Sequence, residues 1–132
     1  MGFEEIPHTA DWSIRVWADD LPGLLVEAAR GMYWQCGAEF LEQPRIKRRF
    51  ETTEIDDESL LVAFLSELVY FAEDEYAGFD SFDVSIKNDR LKVEMEGAPL
   101  NAVSKIIKAV TWHNLKIEET ARGLEVEIVF DV

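Results

Sequence analysis

Alternation of apolar and polar residues is the feature that most constrains how this chain can fold. The cleanest alternating segment is 124–130, and segment 12–18 repeats the pattern. Because successive side chains of a strand point to opposite faces, such segments bury one face and expose the other to solvent. Fully buried parallel strands would be apolar on both faces, so the pattern favours antiparallel pairing. The inward residues predicted for the two strands are Trp12, Ile14, Val16, Leu124, Val126, Ile128 and Phe130.

Two other segments carry apolar residues at helical spacing. The first runs from Leu21 to about Cys36, with Gly37 at the expected end, and the second runs from Asp56 or Asp57 to about Tyr76. Either aspartate could accept hydrogen bonds from the free N–H groups of the first helical turn. Both segments are predicted to be amphipathic helices. Their predicted buried residues are Leu24, Leu25, Ala28, Ala29 and Met32 in the first, and Leu60, Leu61, Phe64, Leu65, Leu68 and Val69 in the second.

The remaining elements are shorter. Residues 3–6 and 47–55 are predicted strands, and the turn residues Asn88 and Asp89 join two more into a hairpin that should end at 97–99. A second hairpin is expected to close at 121–123. Residues 101–117 are ambiguous, and we expect a helical turn followed by a strand.

Together these elements predict an α+β fold. We expect a mostly antiparallel or mixed β-sheet of about six strands with the two amphipathic helices packed on one face. No linker, repeat or low-complexity tract interrupts the 132 residues, so we expect one domain over 1–132.

The charge balance limits the partners of the chain. It contains 27 Asp and Glu residues against 13 Lys and Arg residues, which gives a formal net charge of −14. Unassisted binding to nucleic acids or anionic membranes needs a positive surface, so DNA and membranes are not expected partners. Divalent cations and basic partners suit this charge better.

Cysteine content and the first residues predict the compartment. Cys36 is the only cysteine, which excludes an intrachain disulfide and a cysteine-rich zinc site. Residues 1–7 lack the basic and apolar regions of a signal peptide, and no stretch has the length of a membrane span. We expect a cytoplasmic protein.

A cluster of carboxylates follows from the two alternating strands. Asp11 precedes one strand and Asp131 nearly ends the other, and both have the parity of the polar faces. If these strands are antiparallel neighbours, both aspartates and the α-carboxylate of Val132 lie close together. Like charges at that distance take up protons or bind a cation, and oxygen ligands favour Ca²⁺ or Mg²⁺ over zinc. The alternative is that Asp11 caps a turn while Asp131 and Val132 form a hydrated terminus.

Several motifs in order along the chain resemble those of one family. They are His8-Thr9-Ala10-Asp11, Asp57-Glu58-x-Leu60-Leu61, Phe64-Leu65-x-Glu67-Leu68, Ile107-Lys108-Ala109-Val110-Thr111-Trp112-His113 and Val129-Phe130-Asp131-Val132. Their order and spacing resemble those of the motifs of the archease family, and the resemblance covers essentially the whole chain.

This resemblance implies a cytoplasmic accessory protein, not an enzyme. It would activate an RtcB-type RNA ligase in tRNA splicing, a ligase that uses GTP and Mn²⁺ to join a 3′-phosphate or cyclic phosphate end to a 5′-hydroxyl. The activator promotes guanylylation of the ligase and multiple turnovers, and it meets the tRNA exon halves only through the ligase. The family's metal site falls on Asp11, Asp131 and Val132. The implied cofactor is a divalent cation, Ca²⁺ first, with Mg²⁺ or Mn²⁺ as alternatives.

Three further residues are auxiliary or partner-facing candidates. Glu51 lies on a predicted strand, while Lys108 and His113 belong to the fourth motif. The family often has tyrosine where this chain has Trp112, so a phenolic role there is not expected. A structural histidine is the alternative for His113.

A basic cluster stands out in this acidic chain. Arg45, Lys47, Arg48 and Arg49 lie within five residues. They could protect a strand edge with charge, or they could contact RNA or an acidic patch of the ligase.

Two rival functions remain open. A stand-alone metal-dependent enzyme acting on a phosphorylated small molecule would use Lys108 and His113, although no nucleophile elbow, phosphate loop or dinucleotide fingerprint is present. A general protein or RNA chaperone would need an exposed apolar patch.

Overall fold

The computed structural model describes residues 1–6 and 12–132, which form two helices and nine strands. In chain order they are β1 (Gly2–Ile6), β2 (Trp12–Ala18), α1 (Leu21–Gln35), β3 (Glu39–Phe40), β4 (Ile46–Thr53), α2 (Asp57–Glu75), β5 (Ala77–Lys87), β6 (Arg90–Ala102), β7 (Ala109–Val110), β8 (Glu118–Thr120) and β9 (Gly123–Asp131).

The first sheet is built around β2 and β9. Its order is β1-β2-β9-β7, with β8 also paired to β9, and each of these pairs is antiparallel. The register places Trp12 opposite Phe130 and Ala18 opposite Leu124. The two alternating strands are therefore antiparallel neighbours, as the carboxylate argument required. Their predicted inward residues Ile14, Val16, Val126, Ile128 and Phe130 are 0–1% exposed.

The second sheet is centred on β6, which pairs with β3, β4 and β5. Asn88 and Asp89 both have positive φ and form the tight turn predicted between β5 and β6. Strand β6 does not end at Gly97 as expected, but continues to Ala102. Gly97 faces an irregularity in β5, where an added Cβ would lie 1.8 Å from the Gly78 carbonyl oxygen. This glycine permits close approach of two strands and does not terminate one.

Both helices lie between the sheets. Helix α1 packs against β1 and β2 on one side and β5 on the other, while α2 contacts β7 as well as β4, β5 and β6. Asp20 and Asp56 are the N-caps, and each side chain accepts a 2.8 Å hydrogen bond from a backbone N–H. Gly37, at φ +65°, follows α1 where its end was predicted. The core therefore lies in the helical layer and on the two sheet faces that cover it.

The α+β prediction is confirmed, with two helices and mostly antiparallel strands. The structure differs in arrangement, because the strands form two sheets with the helices between them. Each helix can then bury residues on two sides, including Leu24 and Met32 in α1 and Leu61 and Phe64 in α2. No helix in the described part of the chain is long and apolar enough to cross a bilayer.

The helical turn expected after residue 101 is absent. The end of β6 pairs with β3, and the next residues are held by hydrogen bonds from the Ser104 and Lys105 amides to the Cys36 carbonyl, at 2.8 and 3.2 Å. These long-range partners satisfy backbone groups that a helix would have paired locally. The expected strand is β7, which is only two residues long.

Candidate cation site and its surroundings

Asp131 is the last residue of β9, and its backbone is fixed by neighbouring strands. It lies opposite Ala109 of β7, and the Lys108 amide donates to the Asp131 carbonyl at 2.8 Å. The Thr111 amide donates to the Val129 carbonyl at 2.9 Å, so two hydrogen bonds hold this end of β9. Asp131 is therefore part of the sheet and does not belong to a frayed terminus.

The side chains around Asp131 follow the alternation of the strand. Phe130 points into the core and is 1% exposed, whereas Asp131 is exposed and Val132 is half-buried against the core. Within the described residues, no basic side chain forms an ion pair with Asp131. The end of β9 thus presents a carboxylate to solvent that no basic side chain of residues 1–6 and 12–132 pairs with.

Asp11 lies outside the described residues, although Trp12, the next residue along the chain, is paired with Phe130. The strand pairing assumed for the cation site is confirmed by this register. The ligand set Asp11, Asp131 and Val132 stays a prediction.

The chemistry of the described donors suits a hard cation. Asp131 offers a carboxylate, and Val132 offers main-chain oxygen, both typical ligands of Ca²⁺ and Mg²⁺. Within residues 1–6 and 12–132, no group of three His, Cys, Asp or Glu side chains is arranged to hold a metal ion, and this includes the surroundings of Asp131.

Lys108 and His113 flank the same strand end. The Lys108 side chain is exposed, and the backbone amide of the same residue donates a hydrogen bond to the Asp131 carbonyl. His113 lies in an exposed turn after β7, with its Nε2 3.3 Å from the amide nitrogen of Asn114 and its own N–H bonded to Thr111 Oγ1 at 3.2 Å. Lys108 therefore lies beside Asp131 in the sheet, whereas the observed partners of His113 are Thr111 and Asn114 of its own segment.

Glu51 is placed elsewhere. It lies on the solvent face of β4 in the second sheet, opposite Lys92, and Arg90 approaches its carboxylate at 3.3 Å. The structure therefore does not bring Glu51 together with Asp131 in one sheet.

The basic cluster of β4 is largely neutralised by carboxylates. Arg45 pairs with Asp80 at 2.6 Å, Arg48 pairs with Glu75 at 2.5 Å, and Arg49 lies 3.8 Å from Glu94. The Asp80 contact raises the pKa of Arg45, and the same guanidinium holds the pKa of Asp80 below its usual range. This pattern favours the interpretation of the cluster as a charged strand edge.

A second group of charges lies on β9, nearer its start, and was not identified from sequence. Glu125 is 12% exposed and accepts hydrogen bonds from Arg122, at 2.9 and 3.2 Å, from Thr120, at 2.9 Å, and from Arg15, at 3.4 Å. These donors, Arg122 foremost, lower the pKa of Glu125 to about 2. The Arg122 guanidinium also stacks 3.8 Å from the Trp17 ring centroid.

Part of this network could be predicted from which face of its strand each residue occupies. Arg15 and Glu125 both have the parity of the solvent face, but the register that places them near one another appears only when β2 and β9 are aligned. The position of Arg122 depends on the turn at 121–123, where Gly123 adopts φ +103°. The position of a residue along its strand indicates which face of the sheet it occupies. Its hydrogen-bond partners follow only once the pairing of the strands is known.

Similarity to known proteins shows the family to which this chain belongs. The model of the Archease protein family matches residues 3–132. The chain belongs to the Archease protein family. The resemblance inferred from the motifs is confirmed over nearly the whole chain.

Individual archease relatives support the assignment. The chain is 32% identical over 145 residues to the protein archease of Methanopyrus kandleri, covering 100% of both chains. It is 30% identical over 129 residues to that of Thermococcus kodakarensis, covering 92% of this chain and 91% of the relative.

Two solved structures share the archease fold. A solution structure of a Methanobacterium thermoautotrophicum protein superposes with a TM-score of 0.71 at 24% identity and covers 99% of each chain. A crystal structure from Thermotoga maritima, described as an archease and possible chaperone, gives 0.72 at 21% identity and covers 98% of this chain and 96% of that one.

Proposed function

We propose that this protein is an accessory activator of an RtcB-type RNA ligase in tRNA splicing. It promotes guanylylation of the ligase and multiple turnovers, and it acts on tRNA exon halves only through the ligase. The observation that carries the proposal is the archease-family match over residues 3–132, joined to a solvent-facing carboxylate at the end of β9. The compartment proposed is the cytoplasm.

A divalent cation is the proposed cofactor. Asp11, Asp131 and Val132 would hold it, with Ca²⁺ as the first choice and Mg²⁺ or Mn²⁺ as alternatives. When bound, such an ion can neutralise and orient phosphate oxygens. The fixed backbone of β9 supports this role, because a ligand held by a sheet loses little freedom on binding.

The chain's own residues supply orientation and charge at this site. Asp131 is positioned by β7, so its carboxylate can reach a partner surface without rearrangement of the core. Lys108 adds a cation beside this strand end, and His113 adds an exposed imidazole farther along the same segment. Either can contact phosphate or carboxylate groups of the ligase complex. The protein itself forms no bond in this scheme, and the ligase holds the RNA.

The test is ligation by the purified cognate ligase with cleaved tRNA, scored as product per ligase molecule. Wild-type protein should raise this ratio above one, and Asp131→Ala should remove the effect while the protein stays folded. Glu51→Ala is the matched control, since its carboxylate is exposed in the other sheet. Normal stimulation by Asp131→Ala would exclude the proposed site, and no stimulation by wild type would exclude the function.

The rival functions give different results in the same assay. A stand-alone enzyme would turn over a phosphorylated small molecule without the ligase, and Lys108→Ala or His113→Ala would stop it. A general chaperone would protect unrelated proteins from aggregation and would show no preference for the ligase.

A further inference from the structure

An apolar cavity of about 220 Å³ lies where the two helices end, outside the Asp131 site. Met32 of α1 and Cys36, the C-cap of that helix, line one wall. Val69 lines the cavity from α2, and Ile107 lines it from the segment after β6. These side chains are at most 9% exposed. The walls are therefore fixed by the core, and the cavity does not depend on a loose surface side chain.

The rim of this cavity is also apolar, but exposed. Tyr76 is 72% exposed and Ile106 is 66% exposed, and Val103 adds a partly exposed side chain between them. Exposed apolar residues grouped around a concave site indicate an interaction surface, whereas scattered single ones do not. The interaction surface is the cavity together with the rim residues Val103, Tyr76 and Ile106.

The electrostatic environment favours a positively charged occupant. Both helices direct their C-terminal, partially negative ends toward the cavity, and neither has a basic residue in its last turn. The last turn of α2 instead carries three acidic residues, of which Glu73 lines the cavity and forms no ion pair within the described part of the chain. Lys105 is the cationic side chain in the lining.

The size of the cavity limits the occupant further. Pockets for drug-sized molecules and cofactors measure about 300–1,000 Å³, whereas a cavity of about 150 Å³ accepts benzene. A volume of about 220 Å³ therefore suits one or two apolar side chains. Buried anchors of this kind provide much of the affinity in protein interfaces.

We propose that this cavity is a docking site for a segment of a partner protein in which a large apolar side chain is flanked by lysine or arginine. The apolar side chain enters the cavity, and the basic residues face Glu73 and the C-terminal end of α2. A peptide with acidic flanks would be repelled by the same groups.

The cavity adjoins the candidate cation site along the chain. Ile107 lines the cavity, and the next residue, Lys108, donates its amide hydrogen to the Asp131 carbonyl. The wall of the cavity and the strand end that carries Asp131 are therefore joined by one peptide unit and one hydrogen bond. Assigning that segment to the ligase rests on the proposed function, but the docking itself does not.

The experiment measures fluorescence polarisation of labelled peptides with the full chain at low salt. The probe carries a Phe-Leu pair between pairs of lysines. Two comparison peptides replace either the lysines with glutamates or the Phe-Leu pair with Gly-Ser. The lysine and Phe-Leu probe should bind, and both comparison peptides should bind at least about tenfold more weakly.

Variants with matched controls locate the binding. Ala102→Phe, which fills the cavity from an exposed strand end, and Ile106→Ser, which removes the apolar rim, should each weaken the probe about tenfold. Ala121→Phe and Ile55→Ser change the same residue types at exposed positions elsewhere and should have no effect. Glu73→Lys should weaken binding about fivefold, and Glu119→Lys, with the same change of net charge, should not.

Several results would overturn the proposal. They are no binding of the lysine and Phe-Leu probe, equal binding by Ala102→Phe and wild type, or equal binding of acidic and basic peptides. A further contradicting result is a dimer that light scattering detects and Ala102→Phe abolishes, together with no peptide binding. The surface would then bind a second copy of the chain instead. None of these assays uses the ligase, so failure of the proposed function would leave them unaffected.

Discussion

Strand β9 carries carboxylates in two contrasting environments. Near its start, Glu125 is surrounded by Arg122, Arg15 and Thr120, which together satisfy its negative charge. At its end, Asp131 is exposed and has no basic side-chain partner among the described residues. The same strand thus holds one carboxylate that stabilises the sheet and one that is left available. This contrast is what the proposed role of Asp131 predicts, because a carboxylate that binds a ligand or a partner must not already be paired within the sheet.

The largest difference between Asp131 and Glu125 is expected in their effect on calcium binding. At Ca²⁺ concentrations about 100 times the dissociation constant, a bound ion stabilises the native state by about 2.7 kcal/mol. We expect this gain in the free energy of unfolding for the wild type and not for Asp131→Asn. Urea unfolding with and without Ca²⁺ measures it, and Glu125→Gln, which should keep the gain, is the control. An equal gain in Asp131→Asn would place the ion elsewhere.

Loss of the Glu125 charge should cost stability in the absence of any cation. Glu125→Gln is expected to lower the free energy of unfolding by about 1 to 2 kcal/mol at pH 7, because it weakens charge-assisted hydrogen bonds with two arginines. Asp131→Asn should change it by less than about 0.5 kcal/mol. Chemical denaturation compares the variants, and a larger loss in Asp131→Asn than in Glu125→Gln would reverse the assignment of roles.

Acid should remove the contribution of Glu125 in a defined range. Its native pKa of about 2 lies below the ordinary 4.5, so the carboxylate stabilises the fold fully above about pH 4.5 and loses that effect as the pH falls toward 2. The stability difference between wild type and Glu125→Gln should stay constant from pH 7 to about 5. It should then shrink to nearly zero near pH 2. A difference that does not change with pH would show that packing, not charge, explains the loss.

The smallest effect is expected in the second sheet. Glu51 and Arg90 form an exposed pair at 3.3 Å, with side chains that are 41% and 65% exposed. Such pairs contribute little in water, so Glu51→Gln should change the free energy of unfolding by less than about 0.5 kcal/mol. Ligase stimulation should also be unchanged. Strong loss of stimulation with normal stability would bring Glu51 back as a partner contact.

The sequence indicated the strands and helices because periodicity reports which face is buried. The 124–130 alternation and the helix cap expected at Asp56 or Asp57 are local signals, and the structure agrees with them, with Asp56 as the cap. The extension of β6 past Gly97 and the irregular segment near Ser104 depend on partners distant in the chain. A window of neighbouring residues contains no information about those partners.

The candidate site likewise has one part that could be predicted from the sequence and another that could not. Asp131 could be proposed from parity and strand ends, since these require only one assumed strand pairing. The Glu125 network and the cavity at the helix ends depend on several elements meeting, as Arg15 of β2, Glu125 of β9 and Arg122 of the turn between β8 and β9 do. The grouping of Lys108 with Asp131 likewise needs β7, which is too short to be read from its two residues.

The most direct test is ligation product per ligase, measured in parallel with wild type, Asp131→Asn and Glu125→Gln at a temperature where all three are folded. We expect wild type and Glu125→Gln to raise the ratio equally and Asp131→Asn to leave it near the level of ligase alone. Equal stimulation by all three proteins would contradict the assignment of the end of β9 as the functional site.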